Sequence, residues 1–287
     1  MQKSFSKKLN GLLAVVLLFG ASVVAVKAQE PKVEDILSKH LDSIGTKEKR
    51  AEIKNRMAIG TSTFESKLPT RKTAGKAAIV SDADNLLMIV SLASKEYPFE
   101  KIGFFADKIS LPFVSAGFRS PLGAYVSDHS KILSEGLFAG SISSRWSLSN
   151  SQLKKGKISS AGMKKIDGRK TYVLNYYLNG DSNEFTTKLF FDAQTFQHVR
   201  TEYRHVISGK TITFGQSGEN LTGTEIAMTE EFGDFKNENG LTLPHLYKIK
   251  YLTSSNKGTY EFNWGATISQ YLFNQKLAPN FFNFDEK

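Results

Sequence analysis

The stretch GTYEFNWGATI, residues 258–268, places Tyr260, Phe262 and Trp264 at every second position, with Glu261, Asn263 and Gly265 between them. Successive side chains on a β-strand point to opposite faces of the sheet, so the three rings share one face. The same one-sidedness recurs upstream. Tyr247, Ile249 and Tyr251 stand opposite Lys248 and Lys250, and Tyr172, Leu174, Tyr176 and Leu178 stand opposite Thr171, Asn175 and Asn179. One wall of this sheet is apolar and the other is wet. A packed core, a partner protein and an apolar ligand would each suit such a wall.

Outward from this stretch, the two-residue period runs from Arg56 to the C-terminal region. It predicts strands over 56–67, 72–81, 86–94, 157–165, 170–178, 184–192, 198–207, 224–235, 245–253 and 257–268. Turn residues separate them at 68–69, 82–85, 167–168, 179–181 and 239–240. Short turns between successive strands imply antiparallel pairing, because parallel strands need long crossovers. About ten strands in a row tend to curl. The expected fold is therefore mainly β (α+β): a strongly curved antiparallel sheet forming an open half-barrel, with an N-terminal helix and a lid-like insertion.

The helix is PKVEDILSKHLDSIG, residues 31–45, where Val33, Ile36, Leu37, His40, Leu41 and Ile44 form one apolar stripe. Pro31 opens it, Glu34 and Asp35 occupy its first turn, and Gly45 caps it. A second, strongly charged helix is expected over 47–54. One helical stripe cannot cover a sheet of this size. Either the barrel fills with its own side chains or it keeps a cavity, and the 21 Phe and 10 Tyr favour a cavity over tight packing of small residues. Residues 94–150 break the strand rhythm while staying apolar, with Phe113, Phe118, Leu122, Tyr125, Val126, Ile132, Leu133, Leu137 and Phe138. They read equally as short helices over the barrel mouth and as a core-covering insertion.

Residues 1–28 read as a secretory signal peptide, the alternative being an uncleaved membrane anchor, since the apolar run approaches the length of a spanning helix. Lys3, Lys7 and Lys8 precede an apolar run, and Val26-Lys27-Ala28 suits cleavage after Ala28. The remaining 259 residues, 29–287, are expected to form a single domain, and their net charge falls from +10 to +6 because four lysines leave with the signal. No cysteine occurs, which excludes disulfides, thiolate metal sites and a lipidated N-terminal Cys. An exported chain without disulfides suits a Gram-negative periplasm.

Catalytic signatures are absent. There is no Gly-x-Ser-x-Gly elbow and no His-Glu-x-x-His. Ser208-Gly209-Lys210-Thr211 imitates a phosphate loop, but position 204 is Arg204 instead of the required glycine, so it reads as a hairpin turn. Ser151-Gln152-Leu153-Lys154 lacks the companion motifs of a Ser-x-x-Lys nucleophile. His198 and His205, seven apart, are expected on opposite faces of a strand, and His40, His129 and His245 are scattered. Adjacent Glu230 and Glu231 are expected to point apart along a solvated edge. No catalytic residue, metal site or cofactor is assigned. The basic cluster Lys154, Lys155, Lys157, Lys164, Lys165, Arg169 and Lys170 could steer anionic head groups or an acidic partner; the blander reading is a solvated hairpin that discourages aggregation. Nucleic acid is not an expected partner.

Three stretches carry a resemblance. They are VEDILSKHLDSIGTKEKRAEIKNRMAIGTSTFE (33–65), KIDGRKTYVLNYYLNGDSNEFTTKLFFDAQTFQHVRTEYRHV (165–206) and EEFGDFKNENGLTLPHLYKIKY (230–251), the last followed by the aromatic strand and FNQKLAPNFFNFD (273–285). In this order they resemble the outer-membrane lipoprotein carrier (LolA/LolB-like) superfamily and its lipoprotein-sorting relatives. That resemblance implies an unclosed antiparallel barrel holding acyl chains in an apolar cavity. Tyr172, Leu174, Tyr176, Tyr247, Ile249, Tyr251, Tyr260, Phe262 and Trp264 would line the cavity. Val33, Ile36, Leu37 and Leu41 would form a plug helix, and Arg56, opening the first strand, would stand at the family's gating arginine. The chain departs from the family in the 94–150 insertion and in lacking a lipidated Cys.

The expected function is a non-enzymatic periplasmic carrier of lipid or lipoprotein acyl chains, with lipid or acylated lipoprotein as cargo and membrane-bound donor or acceptor proteins as partners. The alternative is an envelope adaptor with a filled barrel. An uncharacterised hydrolase comes third.

Overall fold

Tight turns organise the sheet. In the computed structural model, which describes residues 31–150, 156–180, 184–207, 224–255 and 258–283, Asp167 and Gly168 have φ of 48° and 84°, and Asn239 and Gly240 have φ of 52° and 84°. Two successive positive φ values give the turn whose twist matches that of paired strands. The first turn joins β6 (Lys157–Ile166) to β7 (Arg169–Tyr177), and the second joins β10 (Thr224–Glu238) to β11 (Leu241–Ser255). The remaining long strands are β1 (Asn55–Lys67), β2 (Thr70–Asp82), β3 (Leu86–Leu92), β8 (Phe185–Asp192), β9 (His198–Ile207) and β12 (Gly258–Phe273). All ten strands expected from the two-residue period are present.

Two more were hidden in the irregular segment: β4 (Phe99–Phe105) and β5 (Lys108–Ser110). Their turn uses Ala106 and Asp107 at φ of 50° and 61°, without the glycine that normally announces such a turn. The signal peptide read over 1–28, the motifs at 151–154 and 208–211, and Lys154 and Lys155 lie outside the described residues.

The twelve strands form one antiparallel sheet in the order β5-β4-β3-β2-β1-β12-β11-β10-β9-β8-β7-β6. Two meanders, β1 to β5 and β6 to β12, are joined where β1 pairs with β12, with Phe64 opposite Trp264. The sheet is open, and β5 and β6 are its two edges. Its curvature follows from two neighbouring contacts. The Arg145 guanidinium lies 4.0 Å over the Phe104 ring of β4, and the Ser147 hydroxyl lies 3.1 Å from the Tyr176 hydroxyl of β7. In a flat sheet those strands would stand roughly 43 Å apart at about 4.8 Å per strand. Two residues of chain span at most about 7 Å, so the sheet must curl until its ends approach.

Helix α1 (Val33–Ile44) turns Ile36, His40 and Ile44 inward. Val33 and Leu37 pack partly buried against the core, and Leu41 is half-buried. Gly45 ends the helix where a Cβ would sit 2.8 Å from the Gly240 carbonyl oxygen, so only glycine lets the helix close on that hairpin. The charged helix α2 (Lys47–Glu52) buries nothing, as its composition predicts.

Because β5 and β6 lie at opposite edges, the chain between them crosses the concave side. Helix α3 (Pro121–Asp128), the single turn α4 (Lys131–Ser134) and a 3-10 turn at Gly140–Ile142 belong to this crossing. Leu122, Val126, Ile132, Leu133, Leu137 and Trp146 are fully buried in the same core as the sheet wall, whereas Phe113 and Phe118 are exposed. From residue 132 to 148 the segment is thus a core-covering insertion inside the barrel.

Trp146 fastens this insertion. Its indole N–H donates to His40 Nε2 at 2.9 Å, and its ring stacks on His198 with centroids 4.6 Å apart. Replacing it by Ala removes a large, fully buried ring and leaves a cavity beside α1. Trp146→Ala is expected to cost about 3–5 kcal/mol of stability, read as a lower urea midpoint at unchanged m-value.

Candidate functional site

The opening aromatic trio grades from interior to surface along β12. Trp264 is buried, Phe262 is half-buried and Tyr260 is 40% exposed. Phe262 stacks on Tyr251 with centroids 5.9 Å apart, and Tyr251 meets Tyr125 of α3 at 5.3 Å. These rings form an aromatic rim. Deeper in the wall Tyr247, Ile249, Leu174 and Tyr176 are buried, and Tyr172 is half-buried against Phe196. Eight of the nine expected wall residues belong to the core or pack against it, Tyr260 does not, and they are spread over β7, β11 and β12.

The space in front of the wall is occupied. Between Ala77, Ile79, Met88, Val90, Tyr247 and Trp264 the cavity volume is only about 10 Å³, room for about one water molecule at most. The filler is the chain's own insertion, and several of its polar groups are met by buried partners. The Ala139 N–H donates to Glu230 at 2.8 Å. Arg56 donates to the Ser141 and Ile142 carbonyls, and Arg145 to the Leu133 carbonyl at 2.6 Å. Glu135 accepts from the Tyr176 hydroxyl at 2.9 Å and from the Asn179 N–H at 2.7 Å. Gly140 has φ of 45°, and a Cβ there would come within 3.0 Å of His198 and 2.8 Å of Phe232. Glycine is what lets the insertion press onto the wall.

Arg56, expected at the gate, is 7% exposed and holds backbone of the insertion. Burial lowers its pKa to about 10, which leaves it cationic at neutral pH.

Two buried acids organise the rest. Trp264 Nε1–H donates to the Tyr97 hydroxyl at 2.8 Å, and Tyr97 donates to Glu100. Glu100 also accepts from Ser120 at 2.6 Å, and Ser120 in turn caps α3 through the Gly123 N–H. Glu230 accepts from Tyr203, Tyr247 and Ala139. Burial pushes both carboxyls up to about 7, against the pull of these donors toward the charged form.

Two expectations are corrected here. Glu230 and Glu231 do point apart, but Glu230 is fully buried; only Glu231 faces solvent, where it pairs with Arg200 at 2.6 Å. The signal was available, because Glu230 is in phase with the apolar Met228 and Phe232. His198 and His205 both face inward, because a bulge between Phe190 and Phe191 shifts the pairing of β9 by one residue. His198 contacts Trp146 and Phe232, while His205 lies 3.1 Å from His129. His40 donates from Nδ1 to the Phe196 carbonyl, and burial lowers its pKa to about 4, so it is the neutral acceptor that Trp146 needs. Among the described residues no three His, Asp or Glu side chains are grouped to hold a metal ion. No described helix is long and apolar enough to cross a membrane.

On the outer face, a groove of about 370 Å³ is bordered by Glu65, Lys72, Glu231, Lys248 and Lys250. In the basic β6–β7 hairpin Lys157, Lys164, Lys165, Arg169 and Lys170 are exposed.

No protein-family model matches the chain, and no curated protein does. Among solved structures it is similar to a Vibrio parahaemolyticus domain named for outer membrane lipoprotein sorting, at 10% identity and a TM-score of 0.44 over 87% of this chain and 97% of that one. It is also similar to a LolA superfamily protein from Nitrosomonas europaea, at 14% identity and a TM-score of 0.43 over 88% and 98% of the two chains. A DUF1329 family protein from Desulfovibrio piger aligns at 8% identity and a TM-score of 0.39 over 88% and 97%.

A carboxyl whose folded pKa lies above its ordinary value of 4.5 stabilises the fold at low pH, and that stability is lost as pH rises through about 7. Glu230→Gln keeps the shape without the charge. The variant should match the wild type near pH 5 and exceed it near pH 8, by on the order of 3 kcal/mol at most. Urea melts of both proteins across that range check the difference, and the pH dependence that persists in the variant includes that of Glu100.

Proposed function

We propose that this chain is a non-enzymatic, exported carrier that holds lipid or lipoprotein acyl chains against the concave wall. The observation that carries the reading is the open sheet with one largely apolar face, ending in a partly exposed rim of Tyr260, Phe262 and Tyr251. The motif resemblance supports it. Tyr172, Leu174, Tyr176, Tyr247, Ile249 and Trp264 continue the wall inward, the α1 stripe of Val33, Ile36, Leu37 and Leu41 plugs the far end, and Arg56 tethers the insertion as a gate. With only about 10 Å³ free between Ala77, Tyr247 and Trp264, cargo enters when the insertion yields its place. An acyl chain that then buries a few hundred Å² gains several kcal/mol, at roughly 25 cal/mol per Å². That sum must exceed the cost of releasing the insertion.

The filled interior favours a second reading, an envelope adaptor that binds a protein partner through its outer surface. The charged groove of about 370 Å³ on the convex face suits that role.

Native mass spectrometry of residues 29–287, purified gently from a periplasm, separates the two. The carrier retains phospholipid or acylated species at near one-to-one stoichiometry, and Phe262→Asp loses them while export and folding persist. A bare wild-type mass that stays bare after incubation with lipid vesicles would remove the carrier reading.

A further inference from the structure

At the α1 end of the barrel the chain gathers cations and hydroxyls around one polar cavity of about 70 Å³. Arg50, Arg56, Ser141, Ser143, Ser144 and Ser149 line it, and no carboxylate does. Arg50 comes from α2, Arg56 from the start of β1 and the serines from the buried insertion, so three separate elements converge. Arg56 is buried, and its Nη1 serves the Ser141 and Ile142 carbonyls while its Nε meets no hydrogen-bond partner among the described residues. The Ser144 hydroxyl is likewise buried without a partner among the described residues, although its N–H is held by the Ser81 hydroxyl at 2.8 Å. Arg50 uses Nη1 to cap α1 at the Leu41 and Gly45 carbonyls.

A buried guanidinium with no counter-charge is costly, and an unmet donor adds to the cost. An anion in the cavity would supply the counter-charge that Arg56 lacks. Its volume is larger than the roughly 10–15 Å³ that one water molecule needs. Its lining presents guanidinium and hydroxyl groups from different elements, which suits an anion with several oxygens.

We propose that this cavity is a binding site for a phosphate group. The donors read only the phosphate, which free inorganic phosphate and a phospholipid head group share. The proposal stands apart from the carrier reading, since a filled-barrel adaptor would present the same cavity.

The test is isothermal titration calorimetry and thermal melting of residues 29–287 with inorganic phosphate, against sodium chloride at matched ionic strength. Dihexanoyl phosphatidic acid and dihexanoylglycerol form the second pair of probes. One saturable phosphate site with a rising Tm is the expected result. Binding confined to the phosphatidic acid, and absent for the diacylglycerol, supports the same site with a lipid as its source. Ser144→Ala should weaken binding about tenfold, as loss of one charge-assisted hydrogen bond would. Ser144→Asp places a carboxylate beside the arginines. It should abolish binding while raising the Tm of the phosphate-free protein, a pair of effects that a misfolded variant cannot produce. Absence of binding by both phosphate probes, or binding unchanged in both Ser144 variants, overturns the proposal.

Discussion

Everything inside this barrel depends on one topological constraint: the strands that end the two meanders lie at opposite edges of a twelve-stranded sheet. The connection between them passes across the concave face, where its apolar residues share the core of the wall. A chain crossing an apolar chamber in irregular conformation carries peptide groups that cannot all pair with one another. The wall meets that demand with side chains. Arg56, Glu230, Tyr176 with Glu135, and His40 through Trp146 each reach in from a different element. The buried polar residues are thus the fittings by which an apolar wall holds an irregular strap.

The same constraint explains why charge is buried at all. Glu230 and Glu100 sit among tyrosine and serine hydroxyls without a cation, and Arg56 sits among carbonyls without an acid. Groups of opposite sign are kept apart, and each is solvated by neutral dipoles. That arrangement leaves local imbalances that respond to protons at one place and to anions at another.

Much of the frame was legible from the residues. The strand period, the α1 stripe and the Asp-Gly and Asn-Gly turns carry local physics that a sequence states openly. The hidden parts have particular causes. The β4–β5 hairpin turns on Ala106 and Asp107, which give no glycine signal. The bulge in β9 moves His198 inward through a pairing shift that periodicity alone does not reveal. The crossing of the interior follows from which strands are edges, a fact about long-range pairing that no short window contains. Of the candidate site, the wall face was legible in Tyr247, Ile249 and Trp264. What covers that wall was not, because residues 132–148 have no period to read.

The seam between the two meanders also sets the order of assembly. It pairs residues 56–66 with residues 262–273, nearly the two ends of the described chain. Strand β1 can be protected on one side by its hairpin with β2, but its other edge has no partner until the last strand has emerged. Loop-closure entropy across some two hundred residues must be lost before that zip begins. During that wait the alternating Ser62, Phe64 and Ser66 present an open ladder to any other extended chain. A protein threaded out of the cytoplasm N-terminus first would hold this edge exposed for the whole of its passage.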